Sequence, residues 1–421
     1  MSDLQDFFAP AQRLPREVPL GAPPAAPVSA CNGAGSATPD GGALAFLLPP
    51  QSGTPGDGCG PAHVGTRGLD LDKILGEIVA AGASDLHLTI GVPPTMRKDG
   101  RLTALQEYAA LEPEGIQRAI YGLLTVRQRE RFEEMRELDC SYTVANVGRF
   151  RLNVYQQRGA VGAVFRAIPT EIKTLEHLGL PSSVGQFAEL LRGFVLVTGP
   201  TGSGKSTTLA SILDLANRNR HDHIMTVEDP IEFLHTHRSC LVNQREVGED
   251  TRSFTNALKH ALRQDPDIIL VGELRDLETI SVALTAAETG HLVFGTLHTS
   301  DAAQTIDRVI DVFPPHQQTQ VRVQLAASLQ GVVCQTLCRR ADGRGRAVAI
   351  EVMVATPAVR NLIREGKTHQ IYSMLQSGTA FGMVTMDQSL ADLVRSGAIT
   401  YETGMEKCHH ADDFARLVSR A

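Results

Sequence analysis

Hydrophobic and polar positions change their period along this chain. Leu71, Ile74, Leu75, Ile78 and Val79 recur at i, i+3 and i+4 spacing, which predicts an amphipathic helix over 69–81. Residues 85–90 alternate as a strand does, Gly91-Val92-Pro93-Pro94 turns the chain, and Lys98-Asp99-Gly100-Arg101 carries a hairpin signal. A helical stretch follows over 113–136. Phe150, Leu152 and Val154 then alternate with Arg149, Arg151 and Asn153, between turns at Asn146-Val147-Gly148 and Arg158-Gly159. Residues 69–168 therefore predict a small α+β domain built on an antiparallel sheet.

A connecting segment over 169–190 leads to a different pattern. The short runs 194–198, 224–227, 268–271 and 292–296 are apolar without alternation and are separated by helical stretches. Strands buried on both faces of a parallel sheet read this way, so 191–410 predicts a doubly wound α/β domain. From about residue 317 the spacing of Val321, Leu325, Leu329, Val332 and Val333 predicts a mostly helical C-terminal part, with 411–421 as a tail. There is no internal repeat of about 20–50 residues.

Composition changes the picture at the amino end. Residues 1–66 hold 10 glycines and 11 of the 22 prolines, with Arg13 and Arg16 as the basic residues besides one histidine. Such a segment cannot bury enough apolar surface to fold, and it predicts a disordered Pro/Gly/Ala-rich extension. The whole chain has 40 basic and 47 acidic residues, a net charge of −7, which disfavours a nucleic-acid partner. No apolar run approaches the roughly 18–20 residues that span a bilayer, so direct membrane insertion is not expected. Seven scattered cysteines read as a reduced, cytoplasmic chain. Cys334 and Cys338, four apart on an expected helix, have no further cysteine pair nearby to complete a zinc site.

The chemistry sits in the α/β half. Gly199-Pro200-Thr201-Gly202-Ser203-Gly204-Lys205-Ser206, with Thr207 behind it, fits G-x-x-x-x-G-K-[ST] between a buried strand and a helical pattern. Glycines at positive φ turn backbone N–H groups inward as an anion nest, and the helix amino end adds favourable charge. Lys205 would reach the β- and γ-phosphates, and the Ser206 hydroxyl would ligate Mg²⁺. Asp267-Ile268-Ile269-Leu270-Val271-Gly272-Glu273 places Glu273 at the end of a neighbouring strand, where an acid can hold that metal through water. Thr226-Val227-Glu228-Asp229-Pro230-Ile231-Glu232 brings three more carboxylates to the same edge. One of them would orient the attacking water, and composition does not choose among Glu228, Asp229 and Glu232. His298, after another strand, is placed to sense the γ-phosphate. Arg263, Arg275 and Arg308 in the α/β half, and Arg151 and Arg166 in the first domain, are candidates for stabilising transition-state charge across a boundary.

With those residues in hand, the chain resembles the secretion ATPase superfamily and, within it, the PilT-type retraction ATPases of type IV pili. The likeness covers about 69–410. It rests on Ala83-Ser84-Asp85-Leu86-His87-Leu88, on Glu228-Asp229-Pro230-Ile231-Glu232-Phe233 as an Asp box and on Gly272-Glu273-Leu274-Arg275-Asp276 as a Walker B element. It rests also on 289–299 as a His box, on Ala358-Val359-Arg360-Asn361-Leu362-Ile363-Arg364-Glu365, and on Gly382-Met383-Val384-Thr385-Met386-Asp387. The resemblance implies a PAS-like amino-terminal domain, a RecA-like P-loop NTPase core and a homohexamer with ATP and Mg²⁺ between the two domains. It points to Glu232 as general base, to Glu228 and Asp229 as supporting residues, and to His291 and His298 as His-box residues linking nucleotide state to domain position. Arg151 and Arg166 take the place of amino-domain arginines, and Arg308 that of a further finger. The implied function is a cytoplasmic motor, peripheral at the inner membrane, that hydrolyses ATP to extract pilin, shorten the pilus and drive twitching. Its implied partners are the inner-membrane platform protein of the pilus machine and an accessory retraction ATPase. The alternatives are a pilus-assembly or type II secretion ATPase, which usually carries a four-cysteine zinc module and further amino-terminal domains, a low-activity accessory subunit, and a nucleic-acid translocase. The 66-residue lead has no counterpart in the family pattern and reads as a tether or a misassigned start. Val359 stands where isoleucine is commoner.

Overall fold

The computed structural model describes residues 69–98, 100–169 and 171–419. The extension expected over 1–66 lies outside them.

The first half begins with α1 (Leu71–Ala80), capped by Asp70, whose carboxylate accepts from the Lys73 amide at 3.1 Å. Strands β1 (Asp85–Leu88), β2 (Thr95–Lys98) and β3 (Arg101–Ala104) follow. Lys98 pairs opposite Arg101, the register a tight Asp-Gly turn gives, although Asp99 itself is outside the described residues. The helical stretch expected over 113–136 is two helices, α2 (Pro113–Leu123) and α3 (Val126–Met135). They divide at Thr125, which forms a capping box with Gln128, a Thr-x-x-Gln signal present in the sequence. Then β4 (Glu137–Val144), β5 (Gly148–Gln157) and β6 (Ala160–Ile168) complete an antiparallel sheet of order β3-β2-β1-β6-β5-β4. Leu86, Leu152 and Phe165 are buried in it against Ile74, Leu75 and Ile116 of the helices.

Part of the segment expected as a linker over 169–190 is packed. It contains α4 (Ser182–Gly185), and Leu180, Val184 and Phe187 are buried with residues of the next half. The elements that follow are β7 (Gly193–Thr198), α5 (Lys205–Asn219), β8 (His223–Glu228), β9 (Leu241–Glu246), α6 (Phe254–Ala261), β10 (Ile268–Val271), α7 (Leu277–Glu288), β11 (Leu292–Leu297), α8 (Ala302–Asp311) and α9 (Pro315–Ser328). Beyond them come β12 (Leu329–Arg339), β13 (Arg346–Val354), α10 (Pro357–Glu365), α11 (Ile371–Ser377), α12 (Met386–Arg395), α13 (Tyr401–Lys407) and α14 (Ala411–Ser419). The sheet runs β13-β12-β7-β11-β10-β8-β9, parallel throughout except for the antiparallel β12–β13 pair. Phe194 and Leu196 of β7 face one helical layer, and Val195 and Val197 face the other. Burial on both faces explains why the strand reads as an unbroken apolar run. This is the RecA-like α/β core.

The expectation of a mostly helical region after about 317 is corrected here. Val321 and Leu325 lie in α9, but Leu329, Val332 and Val333 lie in β12. A strand buried on both faces is apolar at nearly every position, so helical spacing continues across the junction by default. Cys334 and Cys338 are therefore strand residues, separated along β12 by about 13 Å of backbone. Both are buried, and burial pushes both thiols up. The segment expected as a tail contains α14, whose Phe414 is fully buried. The motif at 358–365 falls on α10, where Arg360 donates to Ala326 O (2.7 Å) and Ala327 O (2.8 Å) and so caps the carboxyl end of α9.

One buried carboxylate joins this carboxyl-terminal layer to the sheet. Glu351 of β13, 1% exposed, accepts from the Ala302 amide at the start of α8 (2.8 Å) and the Met386 amide at the start of α12 (3.4 Å). Burial pushes its carboxyl up to about 7, with Asp301 and Asp387 adding to the rise against the two amides. Between its ordinary 4.5 and 7, the unfolded chain has released a proton that the folded chain retains. Stability should therefore fall as pH rises through that window, by about 3 kcal/mol in all. Urea midpoints at pH 5 and pH 8 should show this loss in the native chain, with Glu351→Gln spared that component.

Candidate active site

The chemistry collects at the carboxyl ends of β7, β8, β10 and β11, where a doubly wound sheet gathers ligands. Between β7 and α5 the chain passes through Gly199, Gly202 and Gly204 at φ of 136°, 78° and 92°. These are conformations that side chains resist. At Gly199 the space is also closed, because a Cβ would stand 2.2 Å from the carbonyl oxygen of Gln335. Gln335, on β12 and 2% exposed, supports the turn from behind. Its Nε2 donates to Ser203 O (2.6 Å), and its Oε1 accepts from Thr208 Oγ1 (2.8 Å).

Lys205 opens α5 and is buried. Its Nζ donates to Gly199 O (2.9 Å) and Pro200 O (3.2 Å) and lies 3.5 Å from His298 Nδ1. Burial lowers its pKa, against the pull of Glu273. His298 Nε2 lies 3.1 Å from Glu273 Oε1, and Arg275 Nη2 donates to Glu273 Oε2 at 2.7 Å. With the proton on Nε2, the ring donates to the carboxylate and offers Nδ1 to the ammonium. The hydrogen bond from Arg275 holds the Glu273 carboxyl below the usual range, against a smaller effect of burial. Glu273 is thus ionised and anchored.

The third group stands at the end of β8, where the chain turns at a cis Asp229–Pro230 peptide. Glu228 is buried and accepts from Thr226 Oγ1 (2.6 Å), Gln244 Nε2 (3.2 Å) and the Glu232 amide (3.3 Å). Burial raises its pKa despite those bonds. Glu232, by contrast, is exposed toward the cleft with its own amide fixed by Glu228. A fixed backbone under a free carboxylate suits a proton acceptor.

These groups line one cleft of about 620 Å³. Thr201, Gly202, Gly204, Lys205, Ser206 and Thr207 form its floor, with Glu228, Asp229, Glu232, Glu273 and His298 on one wall. Arg151 and Arg166 reach it from the first sheet, where they pair opposite each other on β5 and β6. Two like charges side by side repel unless an anion lies between them. Arg166 is partly neutralised by Asp85 at 2.8 Å, and Arg151 is exposed.

The chain matches the family described as Type II/IV secretion system protein over residues 67–344. It is 52% identical over 346 residues to the type IV pilus retraction ATPase PilT of Pseudomonas aeruginosa, covering 82% of this chain and 100% of that one. It belongs to that family, as a PilT-type ATPase. The type IV pilus ATPase PilU of the same organism is 41% identical over 350 residues, covering 83% of this chain and 91% of that protein. A crystal structure of the pilus retraction motor PilT with bound ADP superposes with a TM-score of 0.78 at 48% identity, covering 83% of this chain and 99% of that one. The chain is accordingly a nucleotide-binding ATPase. Among the described residues, no helix is long and apolar enough to cross a membrane.

Some expected site residues lie elsewhere. His291 precedes β11, at the opposite end of the strand from His298, with Nδ1 3.0 Å from Ala286 O. Arg263 is exposed near the end of α6, and Arg308 is exposed on α8. Arg275 does not line the cleft and meets it through its hydrogen bond to Glu273. Gln335, Gln244 and Glu246 had no signal in the sequence, since none lies in a motif or in a run the pattern predicts as a strand.

Proposed function

We propose that this chain is the ATP-driven motor that retracts type IV pili, working as a ring of six copies. The observation that carries the reading is the convergence of Lys205, Glu273, Glu232 and the first-sheet arginines on one cleft. Glu232 would take the proton of the attacking water, and Lys205 would move from the loop carbonyls to the β- and γ-phosphate oxygens. Ser206 and Glu273 line the cleft with oxygen donors that suit a hard cation such as Mg²⁺, which Ser206 would hold directly and Glu273 through water. When bound, that ion supplies charge neutralisation at the phosphates. Arg151 and Arg166 would add positive charge from the first domain as the phosphoryl group transfers. Arg263 and Arg308 would act only across a subunit boundary, since their own cleft does not reach them.

Within the linker expected over 169–190, Leu175 and Leu178 already pack against the core, so a swing of the first domain on the core would be taken up ahead of Leu175. His291 and His298, at the two ends of β11, would tie nucleotide state to that swing. The partner receiving the work would be the inner-membrane platform protein of the pilus machine, engaged from the cytoplasmic side. A PilU-like accessory ATPase, related at 41% identity, would be a second partner. Gene deletion tests the direction of force. Loss of a retraction motor leaves surplus, immobile pili, whereas loss of an assembly motor leaves none. A Lys205→Ala allele should not restore movement, because losing charged hydrogen bonds to phosphate weakens nucleotide binding about 10- to 100-fold.

A further inference from the structure

The loop that bears Glu232 is bracketed by the last residues of β9. Gln244 and Glu246 are two apart on that strand and so share a face. Gln244 accepts from the His235 amide (2.8 Å) and donates to Phe233 O (2.8 Å). Glu246, 3% exposed, accepts the Ile231 amide at 3.1 Å, one peptide before Glu232. The same oxygen, Oε2, accepts Arg149 Nη2 at 3.0 Å. Arg149 comes from β5 of the first sheet, where it also donates to Ser141 Oγ at 2.6 Å.

Arg149 and Arg151 are likewise two apart, on one face of β5. Seating Arg149 on Glu246 and delivering Arg151 to the nucleotide cleft are therefore one movement of one rigid surface. We infer that Arg149 and Glu246 are a positioning pair that makes the placement of Glu232 depend on the seating of the first sheet. The inference rests on the reading of Glu232 as general base and extends it to how that base is switched.

The physical reason lies in what happens when the sheet lifts. Glu246 would keep a buried charge with one amide in place of an amide and a guanidinium. A carboxylate in that position turns toward water, and the turn loosens its hold on the Ile231 amide. Proton abstraction is sensitive to sub-ångström displacement of the base, so a shift of the 231–232 peptide is enough to stop it. The surroundings allow such movement. Gln128 Nε2 on Glu249 Oε1 (3.1 Å) is a neighbouring contact of the same kind, and the adjoining cleft of about 750 Å³ is lined by Arg127, Arg131, Arg252, Asp139 and Asp250. A contact between charged groups opens and closes without exposing apolar surface.

The test is a double-mutant cycle on ATP turnover by the full-length chain. Arg149→Gln should lower kcat about 10- to 100-fold with KM for ATP within about twofold, and Arg149→Lys should recover part of the loss. In a Glu232→Gln background the same Arg149→Gln change should alter the residual rate by less than about twofold, because its route is already cut. Equal fold-losses in both backgrounds, or a loss in KM alone, would overturn the positioning pair while leaving Glu232 as base. If Glu232→Gln by itself turns over at the native rate, the base assignment fails and the pair falls with it. Should Arg149→Gln not fold, Arg149→Lys and Glu246→Gln carry the same comparison.

Discussion

Glu232→Gln should hydrolyse ATP roughly 10²–10⁴-fold more slowly than the native chain while still binding the nucleotide. The substitution keeps the side chain's shape and leaves the phosphate-binding turn, Lys205 and Ser206 untouched. It removes only the ability to accept a proton. The backbone beneath stays in place, because the Glu232 amide is held by Glu228 and the Ile231 amide by Glu246. Titration with a fluorescent ATP analogue and phosphate release on the same preparation separate binding from chemistry. Turnover near the native rate would move the base elsewhere. Glu228 would be a poor second choice, since burial favours its protonated form and its oxygens already accept three hydrogen bonds.

Gly199→Ala should destabilise the fold by roughly 3–5 kcal/mol and empty the nucleotide site. Two effects add at this position. The φ of 136° is one that an alanine rarely adopts, and the new methyl would stand 2.2 Å from the backbone oxygen of Gln335. Backbone cannot swing aside as a side-chain end can, so β12 or the turn must shift. Gly202→Ala is the control. It shares a positive φ of 78° but has nothing within 4 Å, so its loss should be only about 1–2 kcal/mol. Thermal unfolding of the three proteins, with nucleotide titration beside it, checks the ranking.

The motifs were legible because each lies next to a strand end whose apolar run announces it. Gly199–Ser206, Glu228–Glu232 and Glu273 could be placed at one sheet edge from spacing alone, and the structure brings Lys205, Ser206, Glu228, Glu232 and Glu273 to one cleft. The antiparallel and parallel characters of the two sheets were legible for the same reason, through alternation in one and unbroken apolar runs in the other. What was not legible depended on contacts distant along the chain. Arg149 and Glu246 are 97 residues apart, and nothing local in either strand marks the partner. The hand-over from α9 to β12 was hidden because full burial makes helix and strand equally apolar. His291 and His298 read as one box, yet a strand of six residues, about 20 Å, separates them.

Gln335 shows how an uncharged residue becomes as restricted as the glycines it faces. Its amide must give a proton to one neighbour and receive one from another, at a position only 2% exposed. Glutamate would supply no donor, lysine no acceptor, and asparagine falls a methylene short. In a saturation library scored for growth on a surface that demands crawling, this position should tolerate almost nothing, although no alphabet of catalytic side chains would have nominated it.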